Sequence, residues 1–207
     1  MLRVENIDTF GFINAMRGMR NPMNSWGRQD SYYVDGKEVI GPNDLDLLIR
    51  LTKAGTEHRK ALRMMHIQMD ITAPLYWWKE FDTYKIGTTA NSCSTMHKIQ
   101  EKEFELDDFS HEHLDVIGRN CLEGTITILN TYRDFYNEGK DKTDWWGMIQ
   151  LLPSSYNQTR TVDINYEVAL NMLKQRQSHK LDEWTILCNA MVRELPYLSQ
   201  LKEVSRC

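Results

Sequence analysis

The segment from Met65 to Thr72 constrains the fold most. Met65, Ile67, Met69 and Ile71 alternate with His66, Gln68, Asp70 and Thr72. Side chains of an extended chain point to opposite faces in turn. The spacing therefore predicts a strand with one face against a core and the other toward water. Ala73-Pro74 follows at once, and a Pro in the first turn of a helix sacrifices no backbone hydrogen bond. The aromatic run Leu75-Tyr76-Trp77-Trp78 is expected to continue that helix to about Tyr84.

Helical spacing recurs along the rest of the chain. Pro42-Asn43 opens a helix with Asn43 as its cap, Leu45, Leu48 and Ile49 inside, and Gly55 just past its end. A long helix is expected from Ser110 to about Tyr136, with Leu114, Ile117, Cys121, Ile128 and Leu129 inward; Gly118 and Gly124 weaken it. Trp145 to Leu152 reads as a short helix stopped by Pro153. Asn165 caps a helix through Gln177 with Val168, Ala169 and Leu173 inside. A last helix runs from about Asp182 to Glu194 and is closed by Leu195-Pro196. Residues 8 to 30, with Arg17 and Arg20, read as strand and loop. The stretches 100–113 and 137–144 read as surface connections. No linker divides the chain, so one α+β domain over residues 1–207 is expected, a small sheet flanked by several helices.

Composition narrows the function classes. A chain of 207 residues can bury a core without disulfide or metal staples. A net charge of -4 lends non-specific nucleic-acid binding no support from bulk charge and leaves a local basic pocket open. Cys93, Cys121, Cys188 and Cys207 form no C-x-x-C pair, so reduced thiols and a cytoplasmic location are expected. The N-terminus lacks the apolar run of a signal peptide, and no stretch reaches membrane-spanning length. His111 and His113 lie two apart, on different helix faces, and no set of ligands completes a metal site. Cys207 reads as a bystander.

One region concentrates polar chemistry. Lys79, Glu80 and Thr83 fall on one helix with Tyr76 a turn earlier. The run Tyr84-Lys85-Ile86-Gly87-Thr88-Thr89-Ala90-Asn91-Ser92-Cys93-Ser94 then collects small hydroxyl and amide residues around one Gly. Such a loop can turn backbone N–H groups toward an anion, with Lys85 adding charge. By composition alone a plain surface loop is the favoured reading.

The stretch from Asp70 to Lys85 resembles the segment of flavin-dependent thymidylate synthases that carries x-A-P-I-F-x-x-R-Q-W-x-R-H-R. Thr83, Tyr84 and Lys85 fall on the R-H-R positions, and one residue is inserted between Lys85 and Ser94. Asn91 and Ser94 match the family's Asn and Ser. Ser92 replaces its Glu, Met96 its Arg, and Glu80 its Gln beside the base. His58 falls on a family His near the flavin. Leu152-Pro153, and then Asn165, Asn171 and Arg176, follow the family layout of the last block. Asn165 and Arg176 are eleven residues apart. That is three turns, so they share a face roughly 16 Å apart. By itself Arg176 reads as a solvated cation at a helix end; with both Asn in register the two readings stand level.

The resemblance covers residues 8 to 200. It implies His58, Tyr84, Lys85, Asn91, Asn165 and Asn171 around FAD, and Glu80, Thr83, Ser94 and Arg176 around a dUMP-like nucleotide. It further implies NADPH and methylenetetrahydrofolate as co-substrates, reductive methylation toward dTMP, and a homotetramer with sites between subunits, compatible with the aromatic pairs Trp77-Trp78 and Trp145-Trp146. Core packing explains those pairs as well. Lys85 cannot reproduce a bidentate Arg fork. Glu80, acceptor-only when ionised, suits a base presenting donors, such as cytosine. A relative that binds nucleotide without turnover stays open, as does, with less support, a DNA-binding or interaction protein of a mobile element.

Overall fold

The computed structural model describes residues 2–205, which places Cys207 outside the described residues. The strands are β1 (Arg3–Phe10), β2 (Tyr32–Val34), β3 (Lys37–Val39), β4 (His66–Pro74), β5 (Thr88–Ser92) and β6 (Asn157–Asn165). The helices are α1 (Phe12–Arg20), α2 (Pro42–Lys53), α3 (Leu75–Phe81), α4 (Thr95–Lys98), α5 (Val116–Gly139), α6 (Lys142–Leu151), α7 (Tyr166–Arg176), α8 (Asp182–Glu194) and α9 (Leu198–Val204). One sheet has the order β1-β4-β6-β5, and β2 pairs antiparallel with β3. The architecture is α+β, as expected. The chain divides into two compact units. Ile71–Thr83 and Asn91–Arg160 form most of one; Val4–Asp70, Tyr84–Ala90 and the chain from Thr161 form the other.

In the second unit the alternation of β4 is realised. Met65, Ile67 and Met69 are buried, while His66 and Asp70 are half-buried and Gln68 is exposed. The outer face is held by polar pairs to β6. His66 Nδ1 lies 2.9 Å from Asp163, Gln68 donates to Asp163 at 3.0 Å, and Thr161 donates to Asp70 at 2.6 Å. Asn6 of β1 donates to the other Asp70 oxygen at 2.7 Å.

The region read as strand and loop holds β1 and then α1, so residues 12–20 are helical. Phe12, Ala15 and Met16 are buried at helical spacing, and Phe12 meets Tyr166 edge-on at 5.5 Å. Arg20 is buried too and pairs with Asp44 at 2.6 Å. Asp44 also accepts from the backbone N–H groups of Asp30 and Ser31 and from the Ser31 hydroxyl. Asp30 in turn accepts from the N–H groups of Asn43 and Asp44 and so caps α2. Asn43 does not cap it. The N-cap is Gly41, where a Cβ would lie 2.3 Å from the Asp30 carbonyl oxygen. Gly55, at φ 114, sits just beyond the C-cap as expected. Sequence pattern also missed α9, whose Leu198 and Leu201 are buried.

In the first unit α3 is shorter than expected. Strand β4 runs through Pro74, which becomes the N-cap, and the helix stops at Phe81 with Asp82 as C-cap. Trp77, Trp78 and Phe81 are buried with ring centroids 4.9–5.2 Å apart. That pair of Trp is therefore core, whereas Trp146 of the second pair is 45% exposed. Arg160 lies 4.2 Å over the Trp78 ring and pairs with Asp82 at 2.8 Å. A second cluster joins Phe104, Phe109, Leu122, Ile126, Leu129 and Met148. The stretch 100–113 is therefore more than a surface connection, because its Phe residues are buried.

Helix α5 starts at Val116 behind the Asp115 cap and runs past Tyr136 to Gly139. Residues 137–139, read as a connection, belong to it. Its inward residues are Leu122, Ile126 and Leu129. Of the five residues expected inside, only Leu129 is; Leu114, Ile117, Cys121 and Ile128 are exposed. Two apolar stripes run along this helix, and periodicity alone cannot say which one faces the core.

Candidate functional site

In the second unit, α7 follows β6 directly. Asn165 ends the strand and caps the helix, its side-chain oxygen accepting from Val168 N–H at 3.0 Å. The segment Tyr84–Ala90 packs here. Gly87 has φ 74, and a Cβ there would lie 2.5 Å from the Asn165 side-chain nitrogen. Only Gly tolerates both the left-handed backbone and this approach. Thr88, next in the chain, carries a buried hydroxyl oxygen without a hydrogen-bond partner.

At the other end of α7 a cation meets aromatic rings. Arg176 lies 4.8 Å over Trp184 of α8 and 5.8 Å from the Tyr84 ring. Its Nε donates to the Tyr84 hydroxyl at 3.2 Å, and that hydroxyl donates to Gln175 at 2.9 Å. Tyr84 and Trp184 meet edge-on at 5.9 Å, with His179 6.4 Å from Trp184. Ring faces attract a guanidinium by roughly 0.5–2 kcal/mol, so Arg176 is held in place by its surroundings. This is a different environment from that of a solvated helix-end cation. Trp184 is fully buried, so its ring serves to position the cation, and a pre-set guanidinium is a group that can pair with a phosphate.

Of the residues implied as ligands, Tyr84, Lys85, Asn165, Asn171, Arg176 and His58 all belong to this unit. The structure brings Tyr84 and Arg176 into contact and sets Asn165 against Gly87. Lys85 is exposed and Asn171 half-buried on α7. His58 stands apart. It is exposed and lines a cleft of about 1560 Å³ formed by α1, α2 and residues 56–64. That cleft carries five cationic side chains, Arg20, Arg28, Arg50, Lys60 and Arg63, against the carboxylates of Asp46 and Glu57. Arg20 and Arg50 are engaged with Asp44 and Asp46. Arg59, next to His58, pairs with Glu167 of α7 at 2.8 Å, both largely buried.

The other four belong to the first unit. Thr83 lies beyond the end of α3, so it does not continue a helical stripe with Lys79 and Glu80. Its hydroxyl donates to the Glu80 carbonyl at 2.7 Å. Asn91 is exposed on β5. Ser94 caps α4, its oxygen accepting from His97 N–H at 3.2 Å. Between them, Cys93 is tied to β6 through its own N–H to the Thr159 carbonyl and the Gln158 amide to its carbonyl. Sequence reasoning missed Trp184 and Gln175. The signal for Gln175 was its place beside Arg176 on α7; Trp184 comes from a different helix, and no spacing announces it.

Over its full length the chain superposes on thymidylate synthase X (ThyX) from Helicobacter pylori with FAD and dUMP. The TM-score is 0.70 at 20% identity, covering 100% of both chains. A further structure of flavin-dependent thymidylate synthase ThyX from Helicobacter pylori, complexed with FAD and dUMP, gives 0.68 at 20% identity over 99% of this chain and 98% of that one. A UMP/dUMP methylase PolB from Streptomyces cacaoi, bound with 5-Br dUMP, gives 0.69 at 13% identity over 99% and 94%. The likeness establishes the fold. No family model and no curated protein matches the chain. No helix among the described residues is long and apolar enough to cross a membrane.

Proposed function

We propose that this protein binds FAD and a pyrimidine deoxynucleotide and methylates the base reductively, with NADPH and methylenetetrahydrofolate as co-substrates. The observation that carries this reading is Arg176, locked over Trp184 and against Tyr84 in a chain of thymidylate synthase X fold. In that role Arg176 would hold the nucleotide, and the resemblance adds Glu80, Thr83 and Ser94 as candidate contacts. Tyr84, Lys85, Asn165 and Asn171 of the same unit would hold the flavin, and the resemblance adds His58 and Asn91. The donor set fits an anionic cofactor: Lys85 is an exposed cation, and the partnerless Thr88 hydroxyl lies two residues along from Ile86. The chemistry that bound, reduced FAD would contribute is hydride donation, and the residues named here would contribute position and charge. Ser94 acts as a hydrogen-bonding group and not as a nucleophile.

The test is optical and thermal. The purified protein with FAD should show a flavin absorption band, and FAD at a hundredfold over its Kd should stabilise the fold by about 2.7 kcal/mol. For a chain of this size that is roughly 5–11 °C in Tm. A colourless protein with unchanged Tm refutes the flavin assignment. Titration of dUMP against dCMP then tests Glu80; equal binding of both, or of neither, removes it as the base-selecting residue. The Thr83-Tyr84-Lys85 triplet favours one second reading, a nucleotide-binding relative without turnover. Bound FAD and nucleotide with no dTMP formed would establish that version.

A further inference from the structure

We propose that Arg160 is a phosphate-binding residue, and that Asp82 covers its guanidinium in the place a ligand phosphate would take. The inference rests on the nucleotide reading above for the ligand and on the first unit alone for its geometry. The end of α3 with Asp82, residues 91–94, and β6 as far as Arg160 all belong to that unit.

Period two puts Gln158 and Arg160 on one face of β6. There the cation has a fixed seat. Its guanidinium carbon lies 4.2 Å over the ring of Trp78, which is 1% exposed. Nε donates to the Gln158 side-chain oxygen at 2.9 Å, and Nη1 donates to Asp82 at 2.8 Å. Gln158 is itself buried and held. Its amide donates to the Cys93 carbonyl at 2.8 Å, and its own carbonyl accepts from the Trp78 indole N–H at 2.9 Å. Gln158 therefore ties the guanidinium to the segment that carries Asn91, Ser92 and Ser94. A ring face beneath and a fixed acceptor at Nε hold the terminal N–H fork in one orientation. Bidentate recognition of phosphate needs that pre-organisation.

The third contact differs from the other two. The Arg160 side chain is 16% exposed, whereas that of Asp82 is 53% exposed. Asp82 is also the C-cap of α3, the helix end that disfavours a carboxylate. The cation holds Asp82 there, and the helix does not. An ion pair with one well-solvated partner is weak. A dianionic phosphate that takes both N–H groups of the fork can therefore replace the carboxylate.

Isothermal titration of the full chain with dUMP and, separately, with FAD tests this, because each ligand carries phosphate. Two substitutions should act in opposite directions. Arg160→Lys keeps the charge and loses the fork, so it should weaken the ligand that Arg160 holds by about tenfold. Asp82→Asn removes the competing carboxylate and should tighten the same ligand by about two- to fivefold. The other ligand should keep its affinity within about twofold, which identifies whose phosphate is bound. Asp82→Asn changes an exposed side chain and so reads the proposal in a folded protein whatever Arg160→Lys does to stability. Weaker binding in both variants marks the pair as a structural brace and overturns the proposal, as do unchanged affinities for both ligands. A wild type that binds dUMP, with the opposite shifts in the two variants but no flavin band, keeps Arg160 in this role and removes the flavin assignment. A wild type that binds neither ligand overturns both.

Discussion

Replacing Asp44 by Asn tests the node that builds the N-terminal part of the second unit. Asp44 is 0% exposed and Arg20 4%, at 2.6 Å. The same carboxylate accepts from Asp30 N–H at 3.2 Å, Ser31 N–H at 3.0 Å and the Ser31 hydroxyl at 2.5 Å. An Asn keeps the shape but removes the charge and turns one acceptor into a donor. Arg20 is then a buried cation without its counter-charge, and at least one donor faces another donor. Breaking one side of a buried pair costs about 3–5 kcal/mol. At 2–4 °C per kcal/mol, Tm should fall by roughly 6–20 °C. The companion variant Arg20→Met/Asp44→Asn removes the stranded charge and should recover much of the loss. It should not recover all of it, because the new amide NH2 at this buried position faces the Met side chain with no acceptor. Scanning calorimetry of the three proteins is sufficient. A single variant melting within about 2 °C of wild type, or a double variant no better than the single, would show that the pair is energetically idle.

Three other expectations follow from the same geometry. Tyr84→Phe removes the acceptor of Arg176 Nε and should weaken dUMP binding by about three- to tenfold, the worth of one partly exposed charged hydrogen bond, with little change in Tm; isothermal titration that finds equal affinity would separate Arg176 from the ligand. Gly139→Ala ends α5 with a better helix former where a Cβ meets nothing within 4 Å, so urea unfolding should show a gain of about 0.5–1 kcal/mol. The Thr161 hydroxyl, and then the Asn6 amide, hold the Asp70 carboxyl below its usual 3.8. A depressed carboxylate stabilises the fold fully above the unfolded value and loses that contribution as pH falls through the folded one. The gap in urea midpoint between wild type and Asp70→Asn should therefore close below about pH 3.8 and stay constant above pH 5.

Much of the fold was legible where a local rule acts. The β4 alternation, the Asn165 cap and the α8 limits come from period two, side-chain capping and helical spacing, and each survives in the structure. Residues 12–20 were missed because Gly, Asn and Met blur the helical period, and because Arg20 reads as a surface residue until Asp44 is known to face it. The end of α3 was overrun because nothing in Asp82-Thr83 forbids one more turn. The inward face of α5 was misassigned because two stripes compete. In the candidate site, Arg176 and Tyr84 were both nominated, but their contact joins residues 92 apart, and the Trp184 ring beneath the cation has no local signature.

The pairing distances along the chain set an order of assembly. Asp44 meets residues only 13 to 24 positions away, so the helices around it can close while synthesis of the rest continues. The polar partners of β4 on β6 lie 87 to 97 residues downstream. Loop closure over that span is slow, and β4, with only β1 available beside it, waits with its other edge open. Met65, Ile67 and Met69 are therefore the stretch of the nascent chain that most needs shielding until β6 has been made.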